Sequence, residues 1–185
     1  ESLLRFHPWV FSGAIHHIDG RPEEGDVVRV VSADGRFLAV GHIQIGSIAV
    51  RVLSFDDITI DRSFWKQRLS AAFGVRKSIF PQWTNENGKL TNAFRLIHGE
   101  GDGLPGLVID VYDRTAVMQA HSVGMHVSRH EIADALSEVM EGVIDNIYYK
   151  SENTLAYKAS EDGGNGFLKG GLSTASDIAT ENGLK

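Results

Sequence analysis

Two carboxylates, Glu100 and Asp102, lie two residues apart in the stretch Arg95-Leu-Ile-His-Gly-Glu-Gly-Asp-Gly-Leu-Pro-Gly-Leu107. Acids at that spacing share a face if the chain is extended, and an acid/base pair in an enclosed pocket could hydrolyse a small molecule. Nothing visible in so glycine-rich a stretch shifts either pKa, and solvated acids on a structural hairpin remain the plainer alternative. The glycines invite a second reading, a phosphate-cradling loop, but such a loop must open a helix. Here Pro105-Gly106 leads into Leu107-Val-Ile-Asp-Val-Tyr112, a β-branched run that predicts a strand. The expected arrangement is a strand, a tight corner holding both acids on an open edge, and a returning strand.

Other chemistries find less support. His126 and His130 are four apart on a predicted helix, with His121 close in sequence, yet no carboxylate is placed to complete a metal site. His16 and His17 are adjacent and cannot share a face of an extended chain. There is no nucleophile elbow, and with no cysteine the chain has no thiolate nucleophile, disulfide or thiolate metal site. The expectation is no metal.

The net charge of −6 argues against broad, non-specific nucleic-acid binding. The charge is uneven, however: Asp61 to Arg95 holds seven basic residues against two acids, a local excess of +5. Such a stripe could track a phosphate backbone or simply be a solvated helix face. No apolar run reaches the length of a membrane helix and the first residues resemble no signal peptide, so a cytoplasmic protein with no membrane partner is expected.

These residues must be positioned by a recognisable series of elements. Phe6 to Ile15 interleaves aromatics with polar groups and could cap a barrel, leaving Arg5, His7 and Ser12 outward; Trp9 and Phe11 read as core aromatics or as part of that outer face. Strands are predicted over Val27 to Val31, Phe37 to Gly41 and Ile48 to Leu53, the first two joined by an Asp34-Gly35 turn, which suggests a small β-barrel. Asp61 is the N-cap of a helix running to about Phe80, with an Ile60–Trp65 staple and a buried stripe of Trp65, Leu69, Ala72, Phe73 and Ile79. Arg62, Lys66 and Arg76, with Lys77, fall on other faces. Gln82 to Asn92 is a polar loop. Beyond the corner come a strand over Ala116 to Ala120, and a helix capped by Ser128 with Glu131 or starting earlier near Ser122. Its stripe is Ile132, Leu136, Val139 and Met140, with Gly142 at its end. A strand over Ile144 to Tyr149 follows. The tail from Ser160 to Gly171 reads as a hairpin or exposed loop, Ser176 to Thr180 as a last strand, and Glu181 to Gly183 as a turn.

The motifs Glu100, Asp102-Gly103-Leu104-Pro105-Gly106-Leu107 and Val-Ile-Asp110-x-Tyr112 resemble the central-domain signature of a family of S-adenosylmethionine-dependent RNA cytosine-C5 methyltransferases acting on large-subunit ribosomal RNA. The order Gly25-Asp-x-Val followed by Gly35-x-Phe-Leu-Ala-x-Gly41 is similar to the PUA module, a small RNA-binding barrel. His7-Pro-Trp-Val-Phe-x-Gly-Ala-Ile15 looks like its entry segment in the same family. The sequence departs from that family at Lys150-Ser-Glu152, where Arg-Ser-Asp is expected, and in its glycine-rich tail.

The resemblance implies an α+β fold: a PUA-like RNA-binding barrel over residues 1–58, a linker helix and loop over 59–91, and a central strand-strand-helix-strand-strand domain over 92–185. Cytosine C5 needs a cysteine thiolate at C6 and S-adenosylmethionine as methyl donor. Neither a cysteine nor a cofactor loop is present, so both are expected after Lys185 in a Rossmann-like domain absent from this chain, which on its own would be inactive. The initial residue is not methionine, which fits a fragment of a longer transferase of rRNA processing.

RNA-contacting candidates are Arg5, His7, Trp9, Ser12, Arg62, Lys66, Arg76 and Lys77. The corner expected to face the active site comprises Arg95, Glu100, Asp102, Gly103, Leu104, Pro105 and Gly106. The partner is large-subunit ribosomal RNA, with a homodimer left open. The competing expectation is a noncatalytic RNA-binding or ribosome-associated adaptor.

Overall fold

The computed structural model describes residues 3–79, 91–155, 164–171 and 179–180. It is a mixed α+β structure built on two sheets. The first contains β1 (Trp9–Phe11), β2 (Val27–Val31), β3 (Phe37–Ile43) and β4 (Ile48–Ser54), in the order β1-β4-β3-β2, with every pair antiparallel. The three predicted strands are present, two of them slightly longer. Among the described residues no ladder joins β1 to β2, so hydrogen bonding does not close this sheet on itself there. The fourth strand comes from the entry segment, because Val10 alternates with Trp9 and Phe11 and drops into a small core with Ala39, Val50 and Val52.

Helix α1 (Arg62–Ile79) starts where the sequence predicts, with the Asp61 carboxylate accepting from the Phe64 amide at 3.0 Å. Its buried side is Phe64, Trp65, Leu69 and Ala72, with Phe73 half-buried. Ile79 was expected in this stripe but is 61% exposed: it lies in the last turn, past the end of the surface that α1 covers. Residues 82–90 of the predicted loop, and Phe80 at the predicted helix end, lie outside the described residues.

The second sheet runs in sequence order through β5 (Ala93–His98), β6 (Leu107–Tyr112), β7 (Thr115–Ala120), β8 (Asn146–Tyr149) and β9 (Gly166–Lys169). All its ladders are antiparallel except β7 with β8. A parallel pair needs a crossover, and here α2 (Val123–Val127) and α3 (Arg129–Val139) supply it. Three strands therefore precede the helices, as the strand-by-strand reading expects and one more than its strand-strand-helix-strand-strand summary, and the single helix is a broken pair. Ser122 is the cap, its hydroxyl accepting from the Met125 amide at 3.4 Å. Ser128 makes no side-chain cap, and Glu131 instead accepts from the Trp65 indole at 3.3 Å.

The larger core lies between this sheet and the packed pair α1 and α3. Leu107, Ile109, Val111, Met118, Ile132, Leu136 and Met140 are all fully buried there, together with Leu53 from the end of β4. Truncating such a Leu or Ile to Ala costs about 2–5 kcal/mol. Leu53 ties the first sheet into the second core, so the two sheets share a packed seam.

The seam is completed by β3 against α1 and α2. His42 is 2% exposed, its ring stacked on Trp65 (6.2 Å between centroids) and pressed against Gly124, where a Cβ would sit 2.1 Å from the imidazole Cγ. Among the described residues neither ring nitrogen has a hydrogen-bond partner, and burial pushes its pKa down to about 4. The imidazole is therefore neutral at pH 7. No helix among the described residues is long and apolar enough to cross a membrane. In the tail, β9 is the described strand; the 156–163 and 172–178 stretches and the turn over 181–183 lie outside the described residues.

Candidate nucleic-acid interface

The corner is a 3-10 turn, Gly99–Asp102, and not an extended strand. Its two acids therefore do not share a face. Asp102 turns toward α1, where Arg76 Nη1 and Nη2 donate to Oδ1 and Oδ2 at 2.5 and 2.7 Å; the His98 amide also donates to Oδ2 at 2.6 Å. Its side chain is only 9% exposed, which corrects the open-edge expectation for Asp102. Glu100 is exposed and turns the other way, toward the first sheet, its Oε1 accepting from the Trp9 indole at 2.9 Å. Acid/base pairing between them is excluded by this divergence.

The remaining corner residues serve packing. Leu104 and Pro105 are buried. Gly103 adopts the left-handed conformation that ends the turn. Gly106 (φ +86°) lies where a Cβ would come within 2.5 Å of the Ser122 hydroxyl that caps α2. Arg95 is exposed but paired bidentately with Asp110 across β5 and β6, at 2.8 and 3.0 Å, and that bond holds its pKa above the usual value.

The predicted basic stripe is largely neutralised by the chain itself. Glu138 of α3 pairs with both Arg62 and Lys66, the latter at 2.7 Å. Arg76 also donates to the Arg95 carbonyl at 3.1 Å, and Lys77 stands over the Phe73 ring. Arg62, Lys66 and Arg76 are thus engaged with acids of α3 and the corner.

The entry segment is different. Trp9 and Phe11 alternate along β1 and share its outer face, and His7, just before the strand, joins them, with centroids 5.7 Å (His7–Trp9), 6.1 Å (His7–Phe11) and 6.3 Å (Trp9–Phe11) apart. Phe11 is 45% exposed, against the core reading, because the core side of β1 belongs to Val10. The Trp9 amide donates to His7 Nδ1 at 3.2 Å, fixing the imidazole beside the indole. Arg5 and Ser12 flank the ribbon and are exposed.

Trp9 pairs with Arg51 across β1 and β4, a residue the sequence reading passed over. Its signal was legible: a lone arginine inside the apolar run Ile48-Ala-Val-Arg-Val-Leu53. Arg51 donates to Gln44 Oε1 at 3.0 Å and lines an open cleft of about 230 Å³ with His98, Glu100, Val108 and His121. Burial pulls its pKa down while the nearby Glu100 carboxylate pushes it back up. The ribbon, Arg51 and Glu100 thus form one surface across the seam, suited to an aromatic ring and an anion.

His126 is buried, its Nδ1 within 2.7 Å of the Tyr149 hydroxyl. Among the described residues no group of three or more histidine or acidic side chains converges as a metal site. Nor does a strand-to-helix junction there offer a cofactor loop: β7 enters α2 through His121 and Ser122, without a glycine-rich turn.

Residues 1–55 match the model of the PUA-like domain family. Along its whole length the chain is 38% identical to ribosomal RNA large subunit methyltransferase I of Pseudoalteromonas translucida, 37% to that of Alteromonas mediterranea and 34% to that of Vibrio vulnificus. It spans 45% of the length of each of these relatives. Among solved structures, a putative S-adenosylmethionine-dependent methyltransferase from Streptococcus mutans superposes with a TM-score of 0.75 at 20% identity, over 98% of this chain and 44% of that one. A putative methyltransferase complexed with SAH gives 0.76 at 19% identity, over 98% and 43%. At such identities the likeness is one of fold: the chain shares the architecture of somewhat under half of those methyltransferases.

Proposed function

We propose that these 185 residues are the RNA-handling part of an S-adenosylmethionine-dependent methyltransferase that modifies cytosine C5 in large-subunit ribosomal RNA in the cytoplasm. On this reading residues 1–58 hold RNA, 59–91 link, and 92–185 present the Glu100 side of the corner to a catalytic domain. The cofactor site and the C6-attacking thiolate then belong to sequence outside this chain, since it holds no cysteine. The similarity to ribosomal RNA methyltransferases supports the enzyme class.

The observation that carries the RNA role is the exposed ribbon His7, Trp9 and Phe11 on the PUA-like module. Bases stack on such faces without needing a strongly basic protein, and each stacked base is worth about 1–3 kcal/mol. The test is titration of the chain with a labelled single-stranded oligoribonucleotide. Phe11→Ala should weaken binding at least about fivefold, roughly 1 kcal/mol, with an unchanged melting temperature. No binding by the unaltered chain would sink the RNA role. Labelled S-adenosylmethionine, offered to this chain and to the protein extended past Lys185, tests the enzyme class: binding only by the longer protein is expected, and binding by neither would favour an adaptor.

A further inference from the structure

Three features of the seam cleft go beyond a general affinity for RNA. Arg51 is half-buried, held at its Nη1 by Gln44, and among the described residues has no carboxylate within ion-pair distance. It therefore differs from Arg62, Lys66, Arg76, Arg95 and Arg114, each of which pairs with an acid. Cross-strand pairing puts it on the same face as Trp9, so a ring lying on the ribbon would have a cation beside it. Glu100 closes the far side of the cleft, one oxygen tied to the Trp9 indole. A cation and a carboxylate facing one opening act oppositely on an incoming anion.

We propose that the cleft holds one nucleotide of single-stranded RNA. Its base stacks on the Trp9–Phe11 ribbon beside the cleft, its phosphate lies against Arg51 with His98 and His121 lining the same opening, and Glu100 limits how tightly that phosphate is held. This inference rests on the RNA-handling reading. The guanidinium fork suits two phosphate oxygens, which an ammonium cannot match. Glu100 keeps the indole oriented while lowering affinity, so the position suits a nucleotide that must be released after each turnover.

The two charges give the test opposite signs. Fluorescence anisotropy of a labelled single-stranded oligoribonucleotide, followed against salt, compares the unaltered chain with Arg51→Gln, Arg51→Lys and Glu100→Gln. Arg51→Gln should weaken binding about tenfold and flatten the slope of log K against log salt by about 0.7, the value for one lost phosphate contact on a single strand. Arg51→Lys, which retains the charge and guards against a folding artefact, should restore the slope and only part of the affinity. Glu100→Gln still accepts the indole proton and should tighten binding about threefold, an effect no purely structural role produces. Inorganic phosphate should compete only weakly, because it lacks the stacked base. An Arg51→Gln variant with unaltered affinity and slope overturns the cleft while leaving RNA handling intact. Unaltered or weaker binding by Glu100→Gln overturns the role of that residue. Failure of the unaltered chain to bind any RNA overturns both the cleft and the reading beneath it.

Discussion

The glycine corner and the aromatic ribbon meet at a single hydrogen bond, from the Trp9 indole to Glu100, yet they differ in what their side chains have left to offer. At the corner, Asp102 is taken by Arg76, Gly106 by the close approach of Ser122, and Leu104 by the core. On the ribbon, Phe11 faces solvent beside the partly exposed His7 and Trp9, and Arg51 next to them has no acid to pair with among the described residues. A motif can be distinctive because a backbone turn is hard to build, whereas a binding surface is marked by groups that folding leaves unused.

The sharpest way to break this comparison is to cut the corner's ion pair. Arg76 and Asp102 are 16% and 9% exposed, so removing one partner strands a buried charge and should cost about 3 kcal/mol. For a chain of this size that is a fall in melting temperature of roughly 6–12 °C. Asp102→Ala should show it by thermal denaturation, while RNA affinity per folded molecule stays within about twofold. A variant that keeps its melting temperature but loses RNA binding would mean that the corner, too, is a contact surface. Arg76→Glu is predicted to be worse still, since it sets two carboxylates against each other.

The seam joining the two regions has its own signature, in pH. His42 is held neutral by burial, with its pKa pushed down from 6.5 to about 4. Between those values the unfolded chain binds a proton that the folded chain does not, so stability falls as the pH drops through this window and is fully recovered above about 6.5. From about pH 7 to 4.5 the loss should be about 2 kcal/mol. His42→Phe keeps a flat ring between Trp65 and Gly124 and should remove that part of the pH dependence. Parallel melting curves for the two proteins across the range would contradict the assignment. The aspartates whose pKa is lowered, Asp34, Asp134 and Asp145, lose their contribution mainly below about pH 4, under most of this window.

Most of the architecture was legible because it follows local rules. The Asp34-Gly35 turn, the Asp61 cap and the alternation in β6 and β7 each fix an element from a few neighbouring residues. The failures are of two kinds, contacts distant in sequence and choices between near neighbours. The Glu138 that neutralises Arg62 and Lys66 lies over seventy residues away, so a stripe that reads as cationic is balanced only after folding. Phe11 reads as core because it is large and apolar, but alternation assigns the inside of β1 to Val10. Arg51 gave a signal in its apolar strand, while its partners Trp9, Glu100 and His121 come from three other parts of the chain. Ser128 satisfied the capping-box spacing yet lost to Ser122, because α2 already occupies the turn before it.

The smallest effect is expected from one of the basic residues that the sequence offers for RNA contact. Lys66 is half-exposed and shares Glu138 with Arg62, and an exposed pair of this kind contributes about 0–1 kcal/mol. Lys66→Gln should therefore change stability by less than about 0.5 kcal/mol. If α1 lies away from the RNA, both the affinity and the salt slope should remain those of the unaltered chain. A slope shallower by about 0.7 would mean that a phosphate displaces Glu138 and takes Lys66 for itself. In that case the neutralised stripe is a reserve of cations exposed on binding, and the boundary between used and unused groups would have to be drawn along α1 as well as across the seam.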